Sequence, residues 1–158
     1  MKRLHIHVTV NKLSENIKFY STLFNALPAV EHKDYAKWDL IEPAVNFAIS
    51  SSDHVSGINH LGIQVDSEDE LGELAQRLDN AEITFSKQED ITCCYANSNK
   101  HWVLDPQGIS WESFHTLAEL PTYGDNENLS SGENLSACCI PLNISQSNGN
   151  EKAACCVK

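Results

Sequence analysis

Leu4-His5-Ile6-His7-Val8-Thr9-Val10 and, further on, Ile58-Asn59-His60-Leu61-Gly62-Ile63-Gln64-Val65 are the two stretches whose reading decides the fold. Both alternate as strands do, and both carry histidine near the start; His5 and His60 stand 60 − 5 = 55 residues apart. In an extended chain His5 and His7 share one face, while Leu4, Ile6 and Val8 share the other. His60, Gly62 and Gln64 likewise share the polar face of the second stretch. After the first, apolar residues at helical spacing predict a helix over Leu13–Phe24 with Ser14 as its N-cap. Short extended pieces follow at Ala29–Glu31, Tyr35–Leu40 and Val45–Ser50. After the second, a helix from Ser67 to about Leu78 opens on Ser67-Glu68-Asp69-Glu70, which resembles a capping box. Extended pieces then run at Ile83–Ser86, from Ile91–Tyr95 through His101–Leu104, and at Ile109–His115. The expected fold is therefore α+β: two βαβββ modules, about 1–52 and 57–117, in one domain spanning 1–117. A sheet with one face buried against its helix leaves the other to enclose a concave site.

Beyond that domain the composition changes. Residues 118–158 are rich in Asn, Ser, Gly and Glu, as in Asp125-Asn126-Glu127-Asn128 and Gln146-Ser147-Asn148-Gly149-Asn150. Such a segment lacks the apolar area to offset its ordering entropy, so a low-complexity, disordered tail is expected. The formal net charge of −11 over 158 residues disfavours nucleic acid and anionic membrane as partners, because phosphates are repelled. No run of about 18 apolar residues is present to span a bilayer. The basic start Met1-Lys2-Arg3 lacks a following apolar region, which reads as a first strand in a cytoplasmic protein. Six cysteines come as three adjacent pairs, Cys93–Cys94, Cys138–Cys139 and Cys155–Cys156. Adjacent cysteines bridge only with strain, so free thiols acting as soft ligands are the expectation.

Three residues stand out as a metal set: His5, His60 and Glu112. Glu112 lies between aromatics in Trp111-Glu112-Ser113-Phe114, where a carboxylate is costly unless paired or bound to metal. Two imidazoles and one carboxylate leave several coordination positions open, the ligand set of facial-triad non-haem Fe(II) sites. Internal symmetry with Glu112 calls for a fourth ligand near Asn46–Ala48, and none is found there. Taken singly, a strand histidine is more often a hydrogen-bonded core or surface residue than a ligand, and symmetric placement in a repeated module raises the joint reading. His7 either orients a ligand or is simply exposed. Thr92-Cys93-Cys94-Tyr95 reads either as two small residues in a strand or as a thiol pair for thiophilic centres such as As(III), Cd(II), Zn(II) or Cu(I). Both sulfurs can meet one centre only if the strand bends, and Asn97-Ser98-Asn99 downstream suggests such a loop.

These residues, with the helix-end Phe19-Tyr20 and the turn Asp105-Pro106-Gln107-Gly108, resemble the vicinal oxygen chelate superfamily of glyoxalase I, extradiol dioxygenases and bleomycin-resistance proteins. More narrowly, residues 1–117 are similar to the organoarsenical C–As lyases, a group that includes cadmium-induced proteins. Lys37-Trp38, Val45-Asn46-Phe47-Ala48-Ile49-Ser50, Asn59-His60-Leu61-Gly62, Thr92-Cys93-Cys94-Tyr95-Ala96 and Lys100-His101-Trp102-Val103 carry that likeness. The resemblance implies a trivalent organoarsenical, methylarsenite or an aromatic arsenical, held as a dithiolate by Cys93 and Cys94. It implies Fe(II) on His5, His60 and Glu112, replaceable by Ni(II) or Co(II) during purification, and O2 as co-substrate. Arsenite would be the product. Tyr95, Lys100 and His101 are candidates for acid–base assistance.

Two other readings compete. A protein that sequesters Cd(II) or arsenite on its thiols would need the cysteines and not His5, His60 or Glu112. An extradiol-dioxygenase-type enzyme would need the metal set and not Cys93 or Cys94. Monomer and homodimer are both compatible with the superfamily. Cys138, Cys139, Cys155 and Cys156 are expected either to collect arsenic or to be dispensable.

Overall fold

The computed structural model describes residues 2–51 and 55–120. The first module runs β1 (Arg3–Val10), α1 (Leu13–Phe24), β2 (Val30–Glu31), β3 (Tyr35–Leu40) and β4 (Val45–Ser51). The second runs β5 (Gly57–Val65), α2 (Glu68–Asn80), β6 (Ser86–Cys93), β7 (Ala96–Leu104) and β8 (Ser110–Glu119). All eight strands form one curled mixed sheet in the order β2-β3-β4-β1-β5-β8-β7-β6. The two βαβββ modules are therefore present. The expected C-terminal tail begins within β8, and its part from residue 121 onward, with all four of its cysteines, lies outside the described residues.

The modules join through their first strands, β1 and β5, which pair antiparallel with His5 opposite Gly62 and His7 opposite His60. Each first strand has its module's last strand parallel on its other side, β4 beside β1 and β8 beside β5. Chemistry on β1, β5 and β8 is thus central in the sheet, away from both edges.

Alternation works as the sequence implies. Ile6 and Val8 of β1 pack with Leu13, Ile17, Tyr20 and Phe24 of α1 against the buried Val10, Ala36, Trp38, Phe47 and Ile49. Tyr20 sits 4.5 Å from Phe47, ring centre to ring centre, and the fully buried Trp38 ties its indole N–H to the Ala26 carbonyl at 3.1 Å. The opposite face of β1 carries His5, His7 and Thr9, all buried.

The helix starts differ from each other: α2 is capped as expected, and α1 is not. Helix α2 is capped by the Ser67 hydroxyl, which accepts from the Glu70 amide at 3.2 Å; the Glu70 carboxylate accepts from the Asp66 amide at 3.0 Å. Helix α1 begins at Leu13 after Lys12, with no side-chain cap, and Ser14 lies inside the first turn instead of at the boundary. In the second module the segment read as one extended piece from Ile91 to Leu104 is two strands with a turn between them. Ile83 precedes β6. The Asp105-Pro106-Gln107-Gly108 turn returns the chain from β7 to β8; the Asp105 carboxylate accepts from the Gln107 and Ile109 amides at 2.9 Å, and Gly108 supplies the φ of +85°.

Candidate active site

The antiparallel register brings the imidazoles of β1 and β5 together: His5 Nε2 and His60 Nε2 lie 3.1 Å apart. Glu112 enters from β8, where it pairs with Gly62. Its Oε2 stands 3.4 Å from His60 Nε2 and 3.8 Å from His5 Nε2. A side chain at position 62 would drive its Cβ into the Glu112 carbonyl, so glycine is what lets β8 approach this closely. His5, His60 and Glu112 are all buried.

Hydrogen bonding dictates the protonation pattern. His5 Nδ1 faces the Asn46 backbone carbonyl at 3.1 Å and Asn46 Oδ1 at 3.2 Å, so Nδ1 carries the hydrogen. His60 Nδ1 faces Asn59 Oδ1 at 2.8 Å in the same sense. With a cation bound, both Nε2 lone pairs and a Glu112 oxygen would converge on it. Burial, reinforced by His60, lowers the His5 pKa from 6.5 to about 4, which keeps the ring neutral. For Glu112 burial alone would disfavour the charge, but Lys100, His60 and His5 outweigh it and hold the carboxyl well below its usual range. Two lone pairs converging on a carboxylate oxygen form a cation-shaped site, and the residues present fit a divalent metal. Lys100 Nζ donates to the other oxygen, Oε1, at 2.7 Å, leaving Oε2 for the cation. Burial opposes the Lys100 charge, yet Glu112 and Cys94 raise its pKa overall.

The thiol pair arrives on a tight hairpin. Cys93 is opposite Ala96, and the two residues between them, Cys94 and Tyr95, have φ of 51° and 63°. Two successive left-handed residues are the pattern of a type I′ turn, normally given to Asn-Gly. Cysteine and tyrosine hold it at a cost in backbone strain, which tends to collect at functional positions. The bend takes Cys94 out of strand alternation and leaves the sulfurs 3.2 Å apart. Tyr95 anchors the turn to the first module: its ring stacks on His32 at 3.5 Å between centres, and its hydroxyl donates to Asp34 Oδ1 at 2.6 Å. Burial and that bond push the Tyr95 phenol up to about 12. Cys93 is disulfide-bonded, against the expectation of a free thiol, so capture by both sulfurs belongs to the reduced chain.

Both constellations line one cavity of about 290 Å³, with His5, His7, His60, Glu112 and Lys100 on its floor strands and Cys93, Cys94 and Tyr95 on the hairpin. Tyr35, Trp102 and Phe114 add aromatic wall.

Residues 2–113 match the family model described as Glyoxalase/Bleomycin resistance protein/Dioxygenase superfamily. The chain belongs to this superfamily. Among curated members, a protein of Bacillus sp. (strain MD1) named trivalent organoarsenical cleaving enzyme is 36% identical, over 99% of both chains. One of the same name from Thermomonospora curvata is 30% identical, over 99% of this chain and all of its own. The cadmium-induced protein CadI of Mycobacterium bovis is 34% identical, over 88% of this chain and 93% of its own. Solved structures share the fold at low identity. An extradiol ring-cleaving dioxygenase from B. fuscum superposes with a TM-score of 0.56 at 14% identity, over 75% of this chain and 33% of its own. Methylmalonyl-CoA epimerase from Mycobacterium tuberculosis gives 0.54 at 16%, over 72% and 87%.

Within this superfamily member, three sequence expectations need correcting. The bend that frees the thiol pair is Cys94-Tyr95 itself; Asn97, Ser98 and Asn99 lie in β7. His101 alternates away from the cavity that its neighbours Lys100 and Trp102 line, and packs instead on Phe85 at 5.4 Å. It does not line this cavity. His7 is buried, not exposed, with Nε2 2.9 Å from Ser50 Oγ. Asn46 and Asn59, which orient the two imidazoles, were not singled out in the sequence, because an asparagine in a strand gives no sign of the partner it faces. His32 and Asp34 were missed for the same reason.

Proposed function

We propose that this protein is an Fe(II)- and O2-dependent C–As lyase, which cleaves the carbon–arsenic bond of trivalent organoarsenicals such as methylarsenite and releases arsenite. One observation carries the reading: the vicinal sulfurs and the buried imidazole–carboxylate cluster line the same small cavity. The relatives named trivalent organoarsenical cleaving enzyme, matched along nearly the whole chain, support it.

In the reduced chain Cys93 and Cys94 would hold arsenic as a dithiolate, while pentavalent arsenicals lack the thiol affinity. In the reduced chain the hairpin, which lines the cavity, would present the carbon substituent to the cluster as a positioned reactant. His5, His60 and Glu112 would hold the metal, which supplies dioxygen binding and electron transfer. Lys100 keeps Glu112 ionised with one oxygen committed and the other available. Tyr35, Trp102 and Phe114 surround the organic group and limit water. For the methyl substrate the balance closes without further reductant. Methylarsenous acid and dioxygen give arsenous acid and formaldehyde: the carbon loses four electrons, dioxygen gains them, and arsenic stays trivalent.

The test is arsenite release from methylarsenite in air by reduced protein reconstituted with Fe(II). Turnover is expected in the unchanged chain and loss in both His60→Ala and Cys94→Ser. Arsenical binding without turnover in the unchanged protein would favour a thiol-based Cd(II) or arsenite binder, and turnover surviving Cys94→Ser would remove the capture step.

A further inference from the structure

We infer that His7 is a fourth protein donor to the metal site, standing on the inner strand of the first module for the outer-strand donor that the second module has in Glu112. This deepens the metal-site reading above and rests on it. The internal symmetry can be followed residue by residue. His5 and His60 are 55 residues apart and face each other across the module junction. The same offset carries His7 onto Gly62, and the pairings agree, since His5 lies opposite Gly62 and His7 opposite His60.

The outer strands complete the correspondence. In the second module Gly62 pairs with Glu112, and in the first His7 pairs with Ala48. Ala48 is therefore the counterpart of Glu112. The second module pairs a bare inner residue with a donor on the outer strand. The first inverts this, with an imidazole inside and a methyl group outside. Ala48 is fully buried among Tyr35, Tyr95, Val30 and Cys94 and offers no donor atom. The fourth donor missing near Asn46–Ala48 has moved one strand inward.

Geometry supports ligation by this ring. His7 is buried, its ring centre 4.9 Å from that of His60 and nearly perpendicular to it. One donor nitrogen of each of His5, His7 and His60 lies within 4.8 Å of the others. That trio and the set formed by His5, His60 and Glu112 share the His5–His60 edge. Two donors on one ion at bond lengths of about 2.1 Å are at most about 4.2 Å apart, so a sub-ångström adjustment brings the three imidazole nitrogens within reach of one cation. Ser50 Oγ at 2.9 Å is placed to orient the ring through Nε2. Three imidazoles and a carboxylate leave fewer open positions than a facial triad and favour late first-row ions.

The test counts bound imidazoles in the full chain loaded with Co(II), by proton NMR of the hyperfine-shifted, exchangeable ring N–H signals. Three such signals are expected in the unchanged protein and two in His7→Gln, whose Co(II) affinity should fall at least about tenfold. Two signals in the unchanged protein would overturn the assignment of His7 while leaving the site of His5, His60 and Glu112 in place. No shifted imidazole signal would overturn both.

Discussion

Modules one and two present the same strands to the cavity in the same register, yet they contribute different parts. The second gives His60, Glu112, Lys100 and the cysteine hairpin; the first gives His5, His7 and, at the β2–β3 corner, His32 and Asp34, which hold that hairpin by its tip. The repeat fixes where side chains project, and a few substitutions decide which of those projections carry chemistry. Glu112 against Ala48, and Gly62 against His7, are the clearest pair.

The asymmetry at Gly62 gives the largest expected effect. Gly62→Ala should cost about 3 kcal/mol in denaturant unfolding, because its Cβ overlaps the backbone of β8. In the first module Ala48→Gly, at the position that corresponds to Glu112, should cost about 1 kcal/mol. Equal costs would mean the two strand pairs are not differently spaced.

Acid should expose the imidazole side of the site. His5 accepts a proton near pH 6.5 when unfolded but only near 4 when folded, so the metal-free fold has its full stability above pH 6.5 and loses it as pH falls toward 4. The lowered pKa of Glu112 extends the loss below that. The loss from His5 is on the order of 3 kcal/mol, read as a falling urea midpoint, and His5→Gln should flatten the upper part of the curve. A midpoint constant from pH 7 to 4 would contradict the neutral, buried assignment.

The contact between modules should be worth less. Tyr95→Phe removes the hydroxyl bond to Asp34 and should weaken arsenical binding by the reduced chain by about tenfold, through a looser turn, with Co(II) affinity unchanged. An equal loss of Co(II) affinity would show general damage instead. The helix starts give the smallest contrast. Ser67→Ala should cost about 1 kcal/mol, and Ser14→Ala under about 0.5 kcal/mol, since only Ser67 caps a helix.

What the sequence made legible was what periodicity and repetition encode: the two βαβββ modules, the polar faces bearing His5 and His60, and Glu112 on the last strand. The turn at Cys94-Tyr95 stayed hidden because neither residue type signals a positive φ; the local cue at Asn97-Ser98-Asn99 pointed to the wrong place. His101 misled because adjacency to Lys100 in a strand means the opposite face. His7 was left undecided, as its role depends on cross-strand register with Ala48 and His60, which no single segment contains.

The central claim is that the thiol pair and the imidazole–carboxylate cluster serve one substrate. It is tested most directly by titrating methylarsenite into the reduced, Co(II)-loaded full chain and following the visible d–d bands of the ion. The bands should shift and saturate at one arsenical per metal, and stay unshifted in Cys94→Ser that still holds Co(II). Stoichiometric arsenical binding with unchanged Co(II) bands would contradict the shared site.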